Sequence, residues 1–228
     1  MNDLQDLTAL KAKQRRLASQ VVQKEEPILD LLKLRVITGL DVAYSGTTGI
    51  ASAVTLEVHT NKILEMKTVI TEVNFPYIPT FLSYRELPPL LSVFKRLTHP
   101  SEVFLVDGHG IAHPRGLGLA SHFGLEVGQP TIGIAKKRLI GKPEFWPEQP
   151  GEWAKLTYEG KTIGAILRPK KTGKPIFVSV GHLISLSKAI KIVKLVLSSQ
   201  QRIPEPLRLA DQLTRRKKRE FECRKGKS

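Results

Sequence analysis

Apolar residues recur at helical spacing near the start of the chain: Leu4, Leu7, Leu10, Leu17 and Val21 stand amid Lys, Arg and Gln. The pattern predicts an amphipathic packing helix over Leu4 to Val22. Three β-prone runs follow, Arg35 to Tyr44, Ile50 to Val58 and Lys62 to Thr71, parted by the turn signals Gly46-Thr47-Thr48-Gly49 and Thr60-Asn61. They predict an antiparallel meander. Ser83 to Leu97 returns to a helical pattern closed by His99-Pro100, and Val103-Phe104-Leu105-Val106 is a buried-strand run ending on Asp107. Thr131 to Ala135 is another short strand, Lys161 to Arg168 and Pro175 to Val180 form a hairpin around Lys170-Lys171-Thr172-Gly173, and Leu186 to Leu197 is a helix with Lys188, Lys191 and Lys194 outward. A meander followed by helix-linked strands implies an α/β fold, a mixed sheet with helices on both faces.

Length and composition narrow the class. With 228 residues, 41% hydrophobic and 25% charged, the chain can bury one sizeable core and requires no second domain. We read residues 1–214 as one domain and 215–228 as a mobile basic tail, because Arg215, Arg216, Lys217, Lys218, Arg219, Arg224, Lys225 and Lys227 crowd together there. No apolar stretch approaches the roughly 18 residues of a membrane span. Asp3 and Asp6 stand where a signal peptide would be basic and then apolar, so a cytosolic protein is expected; a monomer is expected as well. The single cysteine, Cys223, excludes an internal disulfide and a cysteine-built zinc site. The formal charge of +15 implies a polyanionic partner, nucleic acid before a ribosome or a membrane surface.

Candidate chemistry begins with acids at strand ends. Asp41 ends Ile37-Thr38-Gly39-Leu40 and Asp107 ends Val103 to Val106. A carboxylate in such a run faces a desolvation penalty unless it emerges at an edge or meets a cation. Read singly, each is better explained as a turn or cap residue, and Glu86, early in a helix, as a partner of the helix dipole. If the two strands are neighbours and the helix lies across their ends, the three acids form a hard-oxygen set suited to Mg²⁺ or Mn²⁺. The run from Gly108 to His122 holds four glycines and three histidines and reads as a loop for close backbone approach to a ligand. Pro76-Tyr77-Ile78-Pro79 is stiffened by its prolines; it reads either as a surface turn or as an apolar wedge that enters a base step.

Taken together these segments resemble the endonuclease V family, over Ile37 to about Leu213. The motifs, in the family's order, are Gly39 to Tyr44, Pro76 to Pro79 with Arg85-Glu86, Val106 to Gly110 running into His113-Pro114-Arg115, Gly133 to Leu139, and Pro204 to Asp211. The resemblance implies a ribonuclease H-like fold with a five-stranded type of mixed sheet, a small additional β-hairpin and C-terminal helices. It also implies a DNA repair endonuclease that recognises deaminated bases, chiefly deoxyinosine, and hydrolyses the second phosphodiester bond on their 3′ side, leaving 3′-hydroxyl and 5′-phosphate ends. Asp41, Glu86 and Asp107 match the metal ligands, for Mg²⁺ with Mn²⁺ able to substitute. Lys136, His113 and Asp211 match catalytic positions, with Lys136 placing positive charge beside developing negative charge. Pro76, Tyr77, Ile78 and Pro79 match the strand-separating wedge, and Leu82, Gly108, Gly118 and Leu119 the base pocket.

One position departs from the pattern: after Pro-Tyr-Ile-Pro the family usually has Gly, and here stands Thr80. A β-branched residue restricts φ and adds bulk, which points to an altered base preference or affinity. Readings kept beside this one are an inosine-specific ribonuclease acting on RNA, another nuclease of the same fold, and a non-catalytic nucleic-acid-binding protein.

Overall fold

The computed structural model describes residues 7–24, 29–198 and 200–225. The first helix, α1 (Leu7–Ala18), is shorter than its sequence pattern, and Leu4 lies outside the described residues. The three β-prone runs form β1 (Val36–Ser45), β2 (Thr48–Glu57) and β3 (Ile63–Glu72), an antiparallel meander in sequence order. Then α2 (Leu82–Phe94), β4 (Val103–Asp107), α3 (Leu119–Val127) and β5 (Thr131–Ala135) alternate helix and strand. β4 runs parallel to both β1 and β5.

The chain continues through β6 (Lys142–Pro143), β7 (Trp153–Tyr158), β8 (Lys161–Leu167), β9 (Ile176–His182), α4 (Leu186–Leu195) and α5 (Glu205–Lys225). The expected late hairpin is β8 and β9, and it is not a separate piece. β9 pairs antiparallel with β5, so the order is β3-β2-β1-β4-β5-β9-β8-β7-β6, one mixed sheet of nine strands among the described residues. The five-stranded part that the sequence leads one to expect is its first half, β3 to β5. β6 and β7 were not anticipated, since Pro143, Pro147 and Pro150 mask any strand pattern around them.

Period-two alternation divides the core between the two faces. Ile37, Leu105, Ile132 and Val178 pack with Ile190 and Val193 of α4 and with Leu207, Ala210 and Leu213 of α5. Leu40, Ala53, Phe104 and Val106 turn the other way, onto Leu87, Leu90 and Val93 of α2 and Leu119, Ala120 and Phe123 of α3. Each buried Leu, Ile, Val or Phe among them contributes roughly 1.5–3 kcal/mol, so the two layers hold the strand ends firmly.

Two elements depart from the sequence reading. α3 begins at Leu119, inside the glycine-rich run read as a loop, and buries Ala120, Ser121, His122 and Phe123. Arg215 to Lys225, expected as a tail apart from the domain, continue α5. Ion pairs one turn apart, Arg216–Glu220, Lys217–Glu220 and Lys218–Glu222, support the helix there, each adding a few tenths of a kcal/mol. Residues 226–228 lie outside the described part. No described helix is long and apolar enough to cross a membrane.

Candidate active site

Leu40 pairs with Val106 across the parallel β1–β4 ladder, so the next residues, Asp41 and Asp107, emerge side by side. Both lie on the face that α5 covers, since they follow Ile37-Gly39 and Val103-Leu105 at period two. α5 comes unusually close to β1. A Cβ on Gly39 would sit 2.3 Å from the Pro206 carbonyl carbon and 2.5 Å from the Leu207 nitrogen, so only glycine allows the contact. That approach delivers Asp211 to the strand ends. Asp41, Asp107 and Asp211 offer carboxylate oxygens that all lie within 4.8 Å of one another.

Glu86 stands outside that trio, on α2 over the opposite face of the sheet, yet it belongs to the same electrostatic unit. Burial, and then the charges of Asp41 and Asp107, push its pKa up to about 8. Asp41, 9% exposed, is likewise pushed to about 8, by burial first and then by Asp107 and Asp211. Lys136, just beyond β5, counters these charges: its Nζ lies 2.5 Å from Asp107 Oδ2 and 3.5 Å from Asp211 Oδ1. Burial works to lower the Lys136 pKa, but Asp107, with Asp211 and Asp41 behind it, outweighs burial and raises it. Arg215 closes the far side of Asp211 with contacts of 3.0 Å to both oxygens. Even with Lys136 and Arg215 alongside, burial and mutual repulsion leave Asp41 and Glu86 holding protons more tightly than ordinary carboxylates, and the donors are all hard oxygens. The set fits a divalent cation.

Beside the cluster, a cavity of about 140 Å³ opens beneath Tyr77 and Pro79, lined by Leu82, Ser83, His109, Leu117, Gly118, Leu119 and Leu139. Tyr77 is 69% exposed at its mouth. Of the four expected pocket residues, Leu82, Gly118 and Leu119 line the cavity, while Gly108 sits behind Leu119, where a Cβ would lie 3.2 Å from that residue's own Cβ. Gly118 lets the loop double back on itself, because a Cβ there would fall 2.2 Å from the His109 carbonyl. A larger depression of about 450 Å³, between Phe94 and Ser101, lies at the opposite end of β4 from Asp107.

His113 lines the pocket, with Thr80, rather than joining the acid cluster, and both its ring nitrogens are engaged. Nε2 is 2.9 Å from the Thr80 carbonyl, which can only accept, so Nε2 carries the proton; Nδ1 then accepts from the Arg115 N–H at 3.2 Å. Burial pushes its pKa down to about 4, with the Arg115 charge acting in the same sense, so the ring is neutral near pH 7. Thr80 itself has φ +68°, a left-handed conformation natural to glycine and strained for a β-branched residue. Arg115 Nη2 holds the Thr80 carbonyl and hydroxyl, each at 2.7 Å, and the buried Gln14 of α1 donates to the same carbonyl at 3.1 Å.

Several contributors were not singled out by the sequence for these roles. Gln14 looked like one polar residue of a packing helix. Thr214, whose hydroxyl donates to the Ala210 carbonyl at 2.8 Å, lies beside Asp41 and works against the rise in its pKa; it could have been found from its position three residues after Asp211 on one helix. Arg85 stacks over Tyr44 at 4.1 Å and donates to the Phe75 carbonyl, tying the start of α2 to the segment that carries Tyr77.

A family model described as endonuclease V matches residues 15–212. The structure is similar to the crystal structure of the endonuclease V of Bacillus subtilis, with TM-score 0.91 and 27% identity over 97% of this chain and 96% of that one. It is similar to the endonuclease V of Streptomyces avermitilis, with TM-score 0.86 and 36% identity over 93% and 92% of the two chains. It is also similar to the Ciona intestinalis endonuclease V in complex with a 24mer DNA containing an inosine followed by a ribo-adenosine, with TM-score 0.83 and 29% identity over 94% and 98%. The acid cluster, the ribonuclease H-like sheet and a family match over most of the chain agree: this protein is an endonuclease and belongs to the endonuclease V family.

Proposed function

We propose that the protein nicks DNA beside deaminated bases, deoxyinosine first, at the second phosphodiester bond on the 3′ side of the lesion. The observation that carries the reading is the adjacency of the acid cluster to the pocket: Asp107 ends one and His109 lines the other. Two residues span at most about 7 Å, so an extruded base and a nearby phosphodiester are served by one short stretch of chain. Tyr77, with Pro76, Ile78 and Pro79, fills the gap that the flipped base leaves, and Leu82, Gly118 and Leu119 enclose the base itself.

Asp41, Asp107 and Asp211, with Glu86 beside them, hold a divalent cation, Mg²⁺ by choice and Mn²⁺ as substitute. Such an ion, when bound, stabilises charge on the scissile phosphate and acidifies the attacking water. Lys136 keeps its proton and places that charge against the negative charge developing on the phosphate. His113, neutral and doubly bonded, holds the Thr80 segment against the pocket. The basic run from Arg215 to Lys225 adds attraction for phosphate that does not depend on sequence. The protein works as a monomer in the cytosol.

Labelled duplexes and single strands carrying deoxyinosine, and RNA carrying inosine, test this with Mg²⁺, Mn²⁺ or chelator. The expected result is one metal-dependent nick at the second bond 3′ of deoxyinosine, ending in 3′-hydroxyl and 5′-phosphate. Cleavage confined to the RNA would replace DNA with RNA as substrate, and equal cleavage of undamaged strands would remove lesion recognition.

A further inference from the structure

Lys136 lies where the sheet can no longer hold it. Pairing between β5 and β9 ends at Ala135 opposite Phe177. The residue before β9 is Pro175, which has no N–H, so the ladder cannot be carried past Lys136 by backbone bonds. A catalytic lysine one residue beyond the last rung would ordinarily sit on a fraying strand end.

The gap is filled by Arg202, from the segment between α4 and α5. Its Nη2 donates to the Lys136 carbonyl at 2.7 Å and to the Pro175 carbonyl at 2.9 Å, while Nε donates to the Lys174 carbonyl at 2.9 Å. One planar guanidinium thus bonds carbonyls from both strand ends, and these bonds are strengthened by its charge. Arg202 also stands two residues before Pro204 and three before Glu205, the start of α5, the helix that carries Asp211. The same side chain therefore ties the Lys136 backbone to the run leading into the helix that presents Asp211, its more distant carboxylate partner at 3.5 Å.

We propose that Arg202 is a positioning residue for this enzyme's chemistry, acting through Lys136 by clamping its backbone to the start of β9 and the approach to α5. Arg202 touches neither the carboxylates nor, on this reading, the substrate. Its contribution is the placement of the Lys136 ammonium, where a displacement of about 1 Å can cost on the order of a hundredfold in rate. A lysine can replace it only in part, since a single ammonium lacks the flat fork that meets three carbonyls.

The inference rests on the nucleic-acid chemistry proposed above, and the test separates the two. Single-turnover nicking and substrate affinity are measured for the full chain, for Arg202→Gln, Arg202→Lys, Lys136→Ala and for Arg202→Gln combined with Lys136→Ala. The expected result is a rate some ten- to a hundredfold lower in Arg202→Gln, with Arg202→Lys between it and the unsubstituted protein and affinity within about twofold throughout. In the Lys136→Ala background, Arg202→Gln should slow nicking less than twofold further, because the residue it positions is gone. A full additional loss in that background, or an unchanged rate in Arg202→Gln, would overturn the proposal. Should Arg202→Gln fail to fold, Arg202→Lys and its combination with Lys136→Ala give the same cycle. Failure of the substrate reading appears separately, as absence of nicking by the unsubstituted protein. The clamp is then read from the NMR signal of ¹³C-methylated Lys136, assigned by its loss in Lys136→Arg. That signal should shift in Arg202→Gln, and an unmoved signal would overturn the clamp.

Discussion

The acid cluster and the pocket beside it are built on opposite principles. Asp41 and Asp107 stand on central strands, closed in by two packed layers, and Asp211 arrives on a helix seated against Gly39. Rigid elements there hold like charges together at an electrostatic penalty that a cation relieves. The pocket is rimmed instead by a proline-bounded segment with an exposed Tyr77 and a strained Thr80, held by His113, Arg115 and Gln14. On the proposed reading, chemistry is placed where displacement is hardest, and recognition where a side chain can meet a partner. Changes in one region should therefore leave the other's task intact.

The largest effect should follow from breaking the cluster. Asp41→Ala, Glu86→Ala and Asp107→Ala should each lower nicking by about 10³-fold or more, with affinity for a deoxyinosine duplex retained. Single-turnover rates beside circular dichroism decide this; near-normal turnover in a folded variant would take that residue out of the cluster. Tyr77→Ala attacks the other region. It should weaken duplex cleavage about tenfold and single-strand cleavage much less, because unstacking is already cheap in a single strand. Equal losses on both, confined to the chemical step, would move Tyr77 from recognition to chemistry.

A third effect, on stability, belongs to the cluster alone. The pKa values of Asp41 and Glu86 are raised from ordinary carboxylate values, 3.8 and 4.5, to about 8, so the fold takes up their protons more readily than the unfolded chain does. The stability this linkage contributes is full below about pH 4 and is lost as pH rises through 8. Without divalent metal, the melting temperature should fall between pH 5 and pH 9; Mg²⁺ should restore it most at the alkaline end, and Asp41→Asn should flatten the decline. A melting temperature independent of pH and metal would contradict the electrostatic account. The smallest effect is expected from Thr80→Gly. Relief of the left-handed strain is offset by loss of the Arg115 hydrogen bond, leaving stability within about 1 kcal/mol. Discrimination between deoxyinosine and other deaminated bases should shift severalfold at an unchanged nicking step.

The legibility of these regions in the sequence differed in the same way. Asp41 and Asp107 were readable because each ends an apolar run, and a lone acid there needs a reason. The meander, β4 and β5 followed from the same patterns. Asp211's place in the tightest trio, with Glu86 outside it, was not readable, since it depends on how closely α5 docks on Gly39. α3 was hidden because glycines and histidines at its start look like loop, and β6 and β7 by prolines. Thr80 was visible as a departure from the family pattern, but its positive φ and its partners from α1 and from the run after β4 are tertiary facts.

The central claim is that these acids form a divalent-cation site, and direct binding of Mn²⁺ in the absence of DNA tests it most simply. Calorimetric titration at pH 8 should show saturable binding to the unsubstituted protein, weakening as pH falls and protons compete for Asp41 and Glu86, and lost in a folded Asp107→Ala variant. Binding of equal strength and stoichiometry in that variant, or none in the unsubstituted protein, would contradict the account.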